Sequence, residues 1–292
     1  VWRSNLNDKM TLLEEIAEKV DKDRIWVQPS SSLLHLPHDV ELEENLDPDV
    51  KAILAFAEQR LAEVAILTKG LNEGRDAIKA ELDANAKIFE QALQSSTIYH
   101  EPTQKRLESV TEADFRRPTA FAERIKKQQA HLNLPKYPTT TIGSFPQTKE
   151  VRSMRARWKK GSISDQEYWD FMRERTKEVI GQQEEIGLDV LAHGEFERTD
   201  MVEFFAQKLE GMATAENAWV QSYGTRCIRP PIIFGDVHRP NPMTVDMISF
   251  AQQQTQKPMK GMLTGPVTIL NWSFEREDIP ASQTANQIAL AL

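Results

Sequence analysis

Apolar positions in the first half of the chain fall mainly at helical spacing. Residues 10–20 (MTLLEEIAEKV) set Leu12, Leu13, Ile16 and Val20 on one face, which predicts an amphipathic helix. Residues 24–29 (RIWVQP) form a short apolar run read as a buried strand, and its loop carries His35 and His38, read as residues bonded to backbone. Asp47 before Pro48 supplies a helix cap and a first-turn proline, so residues 49–68 predict a long helix closed by Gly70. A second helix is expected over residues 75–94, with Ile78, Leu82, Ile88, Phe89 and Leu93 on its apolar stripe. Residues 101–118 show no regular period, and residues 121–132 predict a solvated helix ahead of the proline-flanked segment 134–138.

From residue 139 the pattern changes to short extended runs alternating with helices. The stretch 139–148 (TTTIGSFPQT) favours a strand that Gly143 and Ser144 break and Pro146 stops, and a helical pattern returns near Lys149. Ser164 and Glu167 form a capping box for a helix running through Trp169, Met172, Val179 and Ile186 to Gly187. Residues 188–192 (LDVLA) then predict a buried strand ending at His193, Gly194 and Glu195, and this strand, helix, strand order favours a parallel sheet. Further along, 200–209 reads as helix, 219–223 as one arm of a hairpin, 231–235 as a strand, 243–253 as helix and 260–265 as another buried strand. No glycine-rich phosphate fingerprint stands at any strand-to-helix turn. The recurring unit therefore suits an α/β fold of the (β/α)8 TIM-barrel type, with about half of the strands in view.

Composition narrows the partners. A chain of 292 residues with 40% hydrophobic and 27% charged content can bury a sizeable core and is not disordered in bulk. A net charge of −8 gives no basic footprint for nucleic acid, and no apolar run is long enough to span a membrane, so small molecules are the expected ligands. Cys227 is the only cysteine, which rules out an internal disulfide and a Cys-rich zinc pattern and points to a reducing, cytoplasmic compartment. The chain opens on Val1 and closes inside the apolar run 289–292, and both ends read as cuts.

Candidate chemistry gathers at the ends of the expected strands. Backbone amides of Ile142, Gly143 and Ser144, with the serine hydroxyl, suit a carboxylate at a helix start; a loop with a sterically required glycine is the alternative. Glu195, at the tip of the next strand, suits an ammonium group or base chemistry, against a salt bridge to Arg198. A carboxylate and a set of amides together match both charged ends of a free amino acid. Arg226 and Cys227 share a polar turn with no histidine close in sequence, which favours binding over nucleophilic catalysis. Trp272 suits stacking on a flat ring or packing in the core.

The stretches PTTTIGSFPQT, LDVLAHGEFERTDMVEFF, WVQSYGTRCIRPP and KGMLTGPVTILNWSFERED, in this order, resemble the cobalamin-independent methionine synthase family, and RIWVQPSSSLLHLPHD with the helix after Asp47 extends the likeness to the first half. The resemblance implies parts of two (β/α)8 barrels. These are the end of an N-terminal barrel over residues 1–100, a linker over 101–137, and the first half of a C-terminal catalytic barrel over 138–292. It implies methyl transfer from 5-methyltetrahydropteroyltri-L-glutamate to L-homocysteine, without cobalamin, in a parent expected to be a monomer. Ile142, Gly143, Ser144 and Glu195 would hold homocysteine, and Arg226, Cys227 and Trp272 the folate. The family's zinc, which binds homocysteine as thiolate, would have its ligands beyond Leu292, so no catalytic or metal residue is expected here. The piece alone is then expected to be inactive and to associate with itself or with the rest of its parent. Other readings are a non-catalytic folate or amino-acid binding protein, and another barrel enzyme of the uroporphyrinogen-decarboxylase-like kind.

Overall fold

The computed structural model describes residues Val1–Leu292. In chain order the helices of the first part are α1 (Leu6–Ala17), α2 (Pro48–Ala52), α3 (Ala57–Glu73), α4 (Lys79–Gln94), α5 (Glu101–Glu108), α6 (Phe121–Leu132), α7 (Lys149–Lys159), α8 (Asp165–Ile186) and α9 (Glu203–Ala206). Four short strands follow: β1 (Glu210–Ala213), β2 (Val220–Gln221), β3 (Cys227–Ile228) and β4 (Ile232–His238). Helices α10 (Val245–Gln253), α11 (Pro266–Asn271) and α12 (Ala281–Ala291) complete the chain. No helix is long and apolar enough to cross a membrane. The elements divide into two compact units: residues 1–108, 205–240 and 265–292 form the first, and residues 109–204 and 241–264 the second.

The first unit is built on α1, α3 and α4. Leu6 and Met10 of α1, Leu67 and Leu71 of α3, and Ile78 and Leu82 pack as one buried cluster, the seam that apolar residues three and four apart produce. A second cluster joins Trp2, Ile53, Leu54 and Phe56 to Ile98 and to Ile232 and Phe234 of β4. β4 pairs antiparallel with β1, and β2 pairs antiparallel with β3, the hairpin expected around residue 220.

Several expectations are corrected here. Residues 25–29 pair with no strand; Ile25 and Val27 lean on the α1/α3 cluster while Trp26 is 86% exposed. The expected helix over 49–68 is two helices, because Leu54, Ala55 and Phe56 leave the helical path to enter the core. Gly70 lies inside α3 and does not end it. A Cβ there would come within 2.5 Å of Ile78 and 2.8 Å of the Met10 sulfur, so the glycine serves helix contact, and Gly74 closes the helix with φ +93°. Residues 101–108 are helical although their pattern is polar, since Gln104 reaches Asp236 and Thr103 is buried. The expected helix over 200–209 shrinks to α9.

The second unit holds the alternating segment. Helix α8 begins at the Ser164 and Glu167 capping box and ends at Gly187 in the left-handed conformation, as expected. Its buried face, Tyr168, Met172 and Val179, packs on Val151 of α7 and on Phe196, and Ile180 meets Leu191 and Ala251 of α10. Beside these helices lie three non-helical segments, 139–145, 188–194 and 258–262. Ser144 bridges Gly194 and Leu191 bridges Met259, both in the parallel sense. The middle segment is therefore flanked by the other two, and α7 with α8 makes the crossover from the first to the middle one. This is parallel α/β construction, with single bridges where the sequence suggested full strands at 139–142, 188–192 and 260–265.

Candidate functional site

The end of the middle segment turns sharply. Gly194 has φ +95° and Glu195 φ +55°; a left-handed residue that is not glycine costs on the order of 1–3 kcal/mol and collects at ligand sites. The turn swings the Glu195 side chain back across the neighbouring segment, over Gly143. A Cβ on Gly143, whose φ is +150°, would lie 2.5 Å from Glu195 Oε1 and 3.0 Å from the Met262 methyl. Only glycine lets the carboxylate come so close to the backbone. The parallel bridge uses the amide of Phe145, which donates to the Gly194 carbonyl at 2.9 Å, and no backbone bond engages the amides of Ile142, Gly143 or Ser144. Ser144 is exposed, and Ile142 is 86% exposed. The ammonium of Lys260 donates to the carbonyl of Thr141, adding positive charge beside the same loop.

Glu195 is held from the other side. Arg198 Nη1 lies 3.4 Å from Glu195 Oε2 and donates to the Met262 carbonyl at 2.9 Å, while Arg198 Nε donates to Glu197 Oε1 at 3.1 Å. His193 is buried, and its Nε2 stands 3.0 Å from the same Glu197 oxygen. Burial works to raise the Glu197 carboxyl, but the hydrogen bond and charge of His193 and the charge of Arg198 outweigh it and hold the group below the usual carboxylate range. His193 Nδ1 and Glu197 Oε2 are buried without a hydrogen-bond partner.

The structure thus brings Gly143 and Ser144 together with Glu195 at the ends of adjacent parallel segments. Arg226, Cys227 and Trp272 belong to the first unit. Arg226 and Cys227 lie exposed where the β2–β3 hairpin turns, the Ser222 amide donating to the Arg226 carbonyl at 2.9 Å, and Trp272 ends α11 with half its surface open. Sequence reasoning gave Arg198 only as a salt-bridge partner and passed over Glu197 and Lys260. The run HGEFER held the signal, since the glycine marks a turn and two glutamates and an arginine follow it within four positions.

Parallel segments joined by helices, with charged groups and amides gathered at their ends, define an α/β protein. Residues 137–292 match the family model described as "Cobalamin-independent synthase, Catalytic domain", and the chain belongs to this family. A 5-methyltetrahydropteroyltriglutamate–homocysteine methyltransferase of Coxiella burnetii (strain RSA 331 / Henzerling II) is 53% identical over 100% of this chain, which covers 38% of that protein. The enzymes of the same name from Nitrosomonas europaea and Caulobacter vibrioides are each 50% identical over the same share. The chain therefore spans 38% of the length of these relatives. Among solved structures, a B12-independent methionine synthase from Shewanella sp. W3-18-1 in complex with selenomethionine is similar with a TM-score of 0.44 at 21% identity, over 53% of this chain and 45% of that one.

Proposed function

We propose that residues 142–144 and Glu195 bind the backbone of homocysteine or methionine, as part of a parent enzyme that transfers a methyl group from 5-methyltetrahydropteroyltri-L-glutamate to L-homocysteine. The observation that carries this is the seat of Glu195 Oε1 over Gly143, beside amides that no backbone bond engages. Glu195 would accept from the amino-acid ammonium, and the amides of Ile142, Gly143 and Ser144 with the Ser144 hydroxyl would donate to its carboxylate. Arg226, Cys227 and Trp272 are assigned to the folate, the tryptophan by stacking on its ring. The names of the relatives, at 50% identity and above, support the methyl transfer.

The same reading makes residues 138–292 the first half of a (β/α)8 catalytic barrel, residues 1–100 the end of another and 101–137 their connection, in a cytoplasmic protein. The family's zinc would activate the homocysteine sulfur as thiolate. Residues of this chain do not fit that metal: no group of three or more His, Cys, Asp or Glu side chains is placed to hold an ion, and the only cysteine lies exposed in β3. We therefore assign the chain binding and orientation of the substrate backbone, and route no metal chemistry through its residues. Titration with L-methionine, followed by NMR, tests the site against 4-(methylsulfanyl)butanoate, which lacks the ammonium, and methionine methyl ester, which lacks the carboxylate. Each is expected to bind weaker by about tenfold or more, the worth of one charged hydrogen bond. Equal affinity for all three overturns the assignment.

A further inference from the structure

Arg198 divides the labour of the two Glu195 oxygens. Oε2 faces the guanidinium at 3.4 Å, and Oε1 is the one set over Gly143. The guanidinium is itself fixed at two further points, the Glu197 carboxylate and the Met262 carbonyl, and lies 5.0 Å above the Phe204 ring. Glu197 is in turn oriented by His193. Met262 also packs its side chain against Gly143, where a Cβ would lie 3.0 Å from the methionine methyl. The arrangement carries a cost to the fold. It leaves His193 Nδ1 and Glu197 Oε2 buried without partners and requires a left-handed Glu195.

We propose that Arg198, anchored by Glu197 and His193, is the positioning residue of the amino-acid site: it tethers Glu195 Oε2 so that Oε1 is presented to the ligand ammonium. The proposal rests on the reading of Glu195 as the ammonium acceptor. Arginine is required because its planar fork serves two carboxylates and a carbonyl at once, which a lysine ammonium at the end of a flexible stem cannot do.

The test is the ratio of affinities for L-methionine and 4-(methylsulfanyl)butanoate, measured by NMR titration on the chain and on Arg198→Lys, with circular dichroism confirming the fold. A residue that merely supported the fold would weaken both ligands alike. Arg198→Lys is expected to lower the ratio by about tenfold while leaving the butanoate affinity unchanged, the effect of a misdirected charged hydrogen bond. If Arg198→Lys does not fold, Glu197→Gln carries the test: it loosens the anchor and lowers the ratio by roughly threefold. An undiminished ratio in the folded variant overturns the role of Arg198 alone. A wild-type chain that does not distinguish the two ligands overturns the reading of Glu195, and this inference with it.

Discussion

Each unit of the molecule buries an arginine among carboxylates, and the two networks are finished to different degrees. In the first unit Arg276 is wholly buried; it gives Nε and Nη2 to Asp278 at 2.6 Å each and Nη1 to Asp236 at 3.0 Å. Asp236 also accepts from the amide of His100 and the side chains of Gln104 and Gln287, each at 2.8 Å, and the Tyr99 hydroxyl completes Asp278 at 3.0 Å. This network ties β4, α5, α12 and the segment after α11 together. In the second unit Arg198 holds Glu195 at a longer reach, two polar atoms of the network lack partners, and the backbone is strained at Glu195. A buried charge with every bond made fixes a fold, whereas a network that leaves buried polar atoms unpaired costs the fold stability.

The largest effect should come from breaking the finished network. Arg276→Met leaves Asp236 buried without its ionic partner and is expected to cost about 3–5 kcal/mol, read from chemical denaturation. A loss below 1 kcal/mol, on the scale of surface pairs, would erase the distinction between the networks. Changes in the second network should fall on binding instead. Glu195→Gln is expected to weaken L-methionine by about tenfold or more while leaving the melting temperature nearly unchanged. Gly143→Ala, which drives a methyl group into Glu195 Oε1, should weaken binding at least as much; tight binding by that variant would show that the carboxylate does not sit over Gly143.

Acid should act on the first network through His100. Burial and the stacked ring of His238, centroids 3.8 Å apart, hold His100 below its ordinary 6.5, with Asp236 pulling the other way. The folded state therefore favours neutral His100. Its contribution is full above the ordinary value and declines as pH falls through 6.5 towards the lower folded value. Melting curves from about pH 8 to about pH 5 should fall in this window, and His238→Gln should flatten the slope. A slope unaltered by that substitution would remove the histidine stack from the account. The smallest effect is expected at a helix end with no link to either network: Ser164→Ala removes a cap from α8 and should cost about 1 kcal/mol in urea denaturation without altering ligand affinity.

What was legible in the sequence follows from how local each signal is. Helix α6 and both ends of α8 could be read directly, because periodicity and the residues Ser164, Glu167 and Gly187 act within a few positions. Helix α5 was not legible: its residues are polar, and it is tied down by Asp236, more than a hundred positions away in sequence. Gly70 misled for the same reason, since its Cβ is excluded by Ile78 and Met10 from other helices. Within the site, Gly143, Ser144 and Glu195 stood out because a strand that ends at glycine leaves polar residues at its tip. Glu197 passed unnoticed because its role depends on His193 and Arg198 closing around it in the fold.

Whether Glu195 Oε1 and the 142–144 amides form one pocket for a free amino acid, as proposed, is decided by a crystal structure of the chain with L-methionine. The ligand nitrogen is expected within hydrogen-bond distance of Glu195 Oε1 and the ligand carboxylate on the amides of Gly143 and Ser144. Methionine bound with its ammonium directed away from Glu195, or seated elsewhere on the molecule, would contradict it.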